Sequence, residues 1–133
     1  MHTAAELQLL AAAVVVGLVQ LLWAAGAARA FQKDMKWAAG PRDEPMPLGG
    51  VAGRLDRAFR NFMETFPFFA AAVIAAYLAG KLGPLTLWGS ALYVAARALY
   101  VPTYALGISG LRTLIWFVAL IGIGLIIAAI FIA

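Results

Sequence analysis

Four apolar runs dominate the sequence, over about residues 7–28, 62–80, 85–106 and 113–131. Each is close to the 20 or so residues a helix needs to cross the hydrocarbon layer of a membrane. A membrane barrel would instead show short strands of alternating polarity, which these runs do not. Composition points the same way: 65% of the 133 residues are hydrophobic, 12% are charged and the mean hydropathy is +0.92. A soluble domain carries roughly 45–50% apolar residues, and a chain this short could not bury the excess. These figures exclude a soluble globular enzyme and a disordered segment. With no cysteine there is also no disulfide-built scaffold, and any thiol chemistry must use a sulfur from elsewhere.

The predicted architecture is all-α: a single antiparallel four-helix membrane bundle over 1–133, with helices at about 5–28, 54–80, 85–106 and 112–132 and a polar loop at about 29–53. The breaks Lys81-Leu82-Gly83-Pro84 and Gly107-Ile108-Ser109-Gly110 hold the glycine and proline of tight turns, which make neighbours antiparallel. The first run exceeds a signal peptide's apolar core, and Glu6 rather than a Lys or Arg precedes it, so it reads as a retained helix. The first loop is rich in Gly and Pro and long for a connector, so it is either mobile or part of a site.

Charge sets the orientation. Arg29, Lys33, Lys36, Arg42, Arg54, Arg57, Arg60 and Arg112 fall on one side and Lys81 alone on the other. By the positive-inside rule the first and third loops are cytoplasmic and both termini lie outside. The net charge of +4 is thereby explained by topology, and no nucleic-acid partner is expected. Trp23 and Trp116 near the cytoplasmic helix ends, and Trp88 near the outer end of the third, suit the interfacial belt.

The informative residues are polar groups where lipid would penalise them. Arg57, Arg60, Asn61, Glu64 and Phe68 share an arc of about 100° on the second helix. Tyr93, Arg97, Tyr100 and Tyr104 share about 60° of the third. Counted along the axes, Glu64 and Arg97 reach a similar depth, about 15 and 14 Å from the cytoplasmic ends, and are predicted to pair. Charges at this depth mark a functional site by default, with an interhelical clamp as the alternative. A clamp needs two residues, whereas these stripes offer enough groups for a charged, hydrogen-bonding ligand. Tyr93 reads as a packing residue with a satisfied hydroxyl. Pro102 is expected to kink the third helix, and Gln20 to hydrogen-bond a neighbouring helix. Ala71, Ala75 and Ala79, beside Ala72, Ala76 and Gly80, form ridges that allow close helix approach. His2 sits at a frayed terminus, no ligand cluster suggests a metal, and neither a Ser-His-Asp set nor a Gly-rich phosphate loop is present.

The pattern Arg57-x-x-x-Asn61-x-x-Glu64-x-x-Pro67, followed by Arg97-x-x-Tyr100-x-x-x-Tyr104 and then Arg112, resembles the MAPEG family. These are membrane-associated proteins in eicosanoid and glutathione metabolism, including microsomal glutathione transferases and leukotriene C4 synthase. Leu99-Tyr100-Val101-Pro102-Thr103-Tyr104 is similar to the bacterial branch, which implies the bacterial inner membrane. The resemblance implies a homotrimer of four-helix subunits, with sites between neighbours opening to the cytoplasmic side. It further implies that Arg57, Asn61, Glu64, Arg97, Tyr100 and Tyr104 hold glutathione and that Arg112 stabilises its thiolate. Arg29 also resembles a family arginine ending the first helix. Two positions depart from the pattern: Thr65 stands where many glutathione-using members have tyrosine, and Arg112 falls about one position late.

The residue types suit this chemistry. Arginine pairs bidentately with carboxylates, a glutamate accepts from an ammonium group, and a cation lowers a thiol's pKa so that the nucleophilic thiolate is present at neutral pH. The expected function is a glutathione-dependent membrane transferase or peroxidase, with glutathione as thiol co-substrate and a lipophilic electrophile or lipid hydroperoxide arriving through the bilayer. The alternative is a non-catalytic membrane protein whose Glu/Arg/Tyr network is structural or binds another small anion. A small four-helix exporter would rest on a membrane glutamate in the first helix, where only Glu6 at the tip is found.

Overall fold

The computed structural model describes residues 3–132, which leaves the expectation about His2 outside the described residues. The elements are α1 (Ala5–Gln32), α2 (Met35–Ala39), α3 (Gly50–Leu78), α4 (Pro84–Ala105) and α5 (Ser109–Phe131), with no strand among the described residues. Three of them, α1, α3 and α5, are long and apolar enough to cross a membrane. The fourth long helix, α4, packs against all three. It buries Thr86, Ser90, Arg97 and Thr103, so it carries the bundle's polar interior.

Local chemistry explains the turns. After α3, Gly80 adopts φ 69° and donates to the Tyr77 carbonyl, while Lys81 N–H reaches the Ala76 carbonyl at 2.9 Å. After α4, Gly107 adopts φ 77°, donating to Tyr104, and Ile108 N–H reaches Thr103. Both are Schellman closures, in which a left-handed residue lets the last carbonyls be satisfied, and glycine takes that conformation without a Cβ clash. Pro84 then opens α4, and Thr86 Oγ1 accepts from Gly83 N–H at 2.8 Å. The same hydroxyl donates to Glu6 Oε1 at 2.8 Å, tying the start of α1 to the start of α4.

Two helices outrun their apolar stretches. α1 continues to Gln32 and α3 starts at Gly50, because hydropathy marks the apolar part of a helix and not its capped end. The loop between them is anchored. Asp34 caps α2 by accepting from Trp37 N–H at 2.9 Å, and the Trp37 indole donates to the Glu44 carbonyl at 2.7 Å. The guanidinium groups of Arg29 and Arg42 lie 5.6 and 5.4 Å from the Trp37 ring. Gln32 Nε2 donates to the Met46 carbonyl, so the loop is held against the end of α1.

The core sits among α1, α3, α4 and α5 around Ala13, Phe69, Val73, Tyr93, Ala119 and Ile126. Phe69 and Tyr93 stack at 4.1 Å between centroids, and the Tyr93 hydroxyl meets Thr65 Oγ1 at 2.9 Å. Tyr93 is thus a packing residue with its polar tip satisfied. Of the two alanine ridges on α3, Ala72 and Ala76 are buried in this core, while Ala71, Ala75 and Ala79 face outward. Gln20 departs from expectation: its Nε2 bonds the Val16 carbonyl of its own helix at 3.4 Å. The reason is steric access, since a residue four positions back on the same face is always in reach.

α4 and α5 come within backbone contact at Gly89 and Gly122. A Cβ on either would stand 2.5 Å from the other's carbonyl oxygen, and one on Gly122 would also meet Tyr93 N at 2.9 Å. Backbone cannot yield as a side chain can, so Gly122→Ala is expected to force the helices apart at a cost of about 1–3 kcal/mol. A lowered melting temperature in detergent checks this, with Gly124→Ala, where a Cβ meets nothing within 4 Å, as the neutral control.

Candidate functional site

The site gathers on the side of the first and third loops. The N-terminal half of α3 presents Arg57, Arg60, Asn61 and Glu64 at helical spacing, and the C-terminal half of α4 presents Tyr100 and Tyr104. The tight turn at Gly107 brings the first two turns of α5 back alongside, adding Arg112, Thr113 and Trp116. Together these residues line a cavity of about 430 Å3. Arg54 anchors the junction, donating from Nε to the Ala105 carbonyl at 2.8 Å and so fixing the start of α3 to the end of α4.

Tyr104 organises the cationic wall. Its hydroxyl accepts from Arg57 Nε at 3.1 Å, and the Arg112 guanidinium lies 4.4 Å from its ring centroid. Tyr100 meets Tyr104 edge to face, with centroids 5.6 Å apart. A guanidinium over an aromatic face is held in orientation without losing its donors, so both arginines keep N–H groups for a ligand. Arg60 pairs with Asp56 at 3.0 Å one turn back on the exposed surface. Glu64 forms no ion pair among the described residues, which leaves a carboxylate free to accept.

Arg97 lies behind this wall rather than in it. It is fully buried, donates from Nη1 to Asn61 Oδ1 at 2.8 Å, and stacks on the Tyr100 ring at 4.1 Å. The expected Glu64–Arg97 pair is therefore corrected to Arg97–Asn61. Azimuth decides the partner: Asn61 turns inward toward α4, whereas Glu64, one turn further along α3, is exposed. Arg97 thus holds Asn61 and Tyr100, both of which line the cavity.

The MAPEG family model matches residues 9–132, nearly the whole chain. This chain belongs to the MAPEG family. No curated protein matches it. Proteins of the family generally use glutathione, and membership points to glutathione-related transferase chemistry or eicosanoid metabolism. In this MAPEG chain Arg57, Asn61, Glu64, Tyr100, Tyr104 and Arg112 share one cavity, and Arg97 supports it from behind. Arg60 of the α3 stripe joins the lining, and so do Thr113 and Trp116, which lie outside both stripes. Spacing holds the signal for Trp116: it stands four positions after Arg112, hence on the same helix face.

Proposed function

We propose that this MAPEG protein is a glutathione-dependent membrane transferase or peroxidase, acting as a homotrimer whose four long helices all span the bilayer. One observation carries the reading: three arginines, a free glutamate, an asparagine and two tyrosines converge on a single cavity. Glutathione offers two carboxylates, an ammonium group and a thiol. Arg57 and Arg60 suit the carboxylates by bidentate pairing, Glu64 suits the ammonium group, and Asn61 supplies its amide N–H. Arg112, supplied by α5, is the catalytic residue, its charge holding the sulfur as thiolate. The thiolate attacks the electrophilic carbon; a sulfur–carbon bond forms and the leaving group departs with the electron pair.

Positive charge supports a cytoplasmic opening, since the cavity lies on the side of the arginine-rich first loop and of Arg112. The trimer is supported by the outward ridge Ala71, Ala75 and Ala79, flanked by exposed Phe68 and Leu78. A bacterial inner-membrane location follows from the resemblance of 99–104 to the bacterial branch.

The test is titration of the detergent-purified protein with glutathione while following thiolate absorbance in the ultraviolet. The expected result is a signal that saturates at about one thiolate or fewer per subunit, displaced by an analogue with alanine in place of cysteine. Absence of any signal from an intact oligomer sinks the enzyme reading in favour of a structural network or another anion.

A further inference from the structure

A second cavity, of about 190 Å3, opens on the outer surface between α1 and α4. Its walls are Val15, Val19 and Trp23 from α1 and Val101 and Pro102 from α4. Those α4 positions lie about 120° round the helix from Tyr100 and Tyr104, so this cavity is separate from the arginine-lined one. Two features set it apart from an ordinary lipid-facing groove. Gln20, only 3% exposed, is one of its lining residues, and the buried Oε1 of that side chain has no hydrogen-bond partner. The bond from Nε2 to Val16 fixes which end of the amide is free, so the unmet group is an acceptor. Pro102 has no N–H, which deprives the Ala98 carbonyl of its helical donor, and Ala98 and Pro102 both line the same cavity.

An unmet acceptor among apolar groups calls for a donor. Water meets only the lower limit here, since a buried water needs two to four polar partners and the walls offer just the Gln20 and Ala98 acceptors amid hydrocarbon. Two of the lining residues, Val15 and Val19, are each more than half exposed on a helix apolar enough to span the membrane. Whatever enters comes from the bilayer. We propose that this groove binds a hydroxyl-bearing lipid, whose O–H donates to Gln20 Oε1 while the first carbons of its chain lie against Val15, Val19, Val101 and Pro102. The volume, about six times a water's share of liquid, fits a head group with a short stretch of chain and leaves the remaining chain in lipid. The proposal does not depend on the glutathione reading.

The experiment uses the full chain in lipid nanodiscs and a decanol carrying a mid-chain diazirine, with the matching decyl methyl ether as the probe that cannot donate. Photolysis followed by peptide mass spectrometry is expected to place adducts within 15–23 and 98–102, saturating with the alcohol and competed by plain decanol. Gln20→Leu is expected to raise the half-saturating alcohol concentration about five- to tenfold, the loss of one hydrogen bond, and to leave ether labelling unchanged. Unchanged ether labelling also shows that the variant's groove is intact. Equal labelling by alcohol and ether, labelling that never saturates and spreads over the outer helix faces, or a groove shielded by a second copy of the chain would each overturn the proposal.

Discussion

Arg112→Ala is expected to abolish the thiolate absorbance seen on glutathione binding and to lower turnover at pH 7 by about 10²–10³-fold, the size found when one charge-stabilising donor is removed from a reacting centre. The variant removes a cation that lies 4.4 Å from the Tyr104 ring in the cavity wall and is only partly buried. Because the group is not a core residue, the melting temperature is expected to change little. The pH dependence separates loss of a charge from loss of a shape. A thiol near a guanidinium ionises below its free value of about 8.5, so the native protein should show little pH dependence between 7 and 9. Without the cation the bound thiol ionises near its free value, and the variant's rate should climb steeply across the same interval. Arg112→Lys restores a point charge without the planar fork and should recover part of the rate and of the flat profile. A variant that melts early and loses activity at every pH alike would mean that Arg112 is structural, and the catalytic assignment would fall.

How far such a site is legible in the sequence depends on what the signal encodes. The stripes on α3 and α4 are readable because polar residues at helical spacing are conspicuous in an apolar run, and the breaks at 81–84 and 107–110 because glycine and proline mark tight reversals; Gly80, expected as the last residue of its helix, instead takes the positive φ that closes α3. The partner of Arg97 was not readable. Axial depth follows from counting at a fixed rise, but the rotation of one helix against another is set by packing, here by Phe69 on Tyr93 and by Gly89 against Gly122. That glycine pair looks unremarkable in the sequence, because nothing in either apolar run says which neighbour will come within backbone contact. Trp116 was hidden for a different reason: it suits the membrane interface equally well, and only the fold of α5 back onto α4 places it in the cavity. The departure at Thr65 acquires a meaning the sequence did not carry, since its hydroxyl satisfies the buried Tyr93.

The contrast between Asn61 and Glu64 follows from the same corrected pairing. Asn61→Leu removes the one hydrogen bond that Arg97 makes among the described residues, where its Nε and Nη2 are already buried without partners. Leaving a buried guanidinium with no acceptor costs about 1.5–3 kcal/mol, the range for hydrogen bonds to charged groups. A melting temperature lowered by several degrees is the expected result, together with weaker glutathione binding, because Asn61 also lines the cavity. Glu64→Gln is expected to weaken binding about tenfold, by removing the charge that accepts from the ammonium group, without moving the melt. Had Glu64 been Arg97's counter-ion, its neutralisation would have stranded a buried charge and cost 3–5 kcal/mol on the scale of broken buried pairs. The double variant Asn61→Leu/Arg97→Leu decides whether the loss in Asn61→Leu lies in the stranded cation: removing both partners should recover most of the melting temperature, since an apolar pair leaves nothing unsatisfied. Thermal melts of the four proteins beside glutathione titrations test this directly. A Glu64→Gln melt as low as that of Asn61→Leu would return Glu64 to the role of structural clamp.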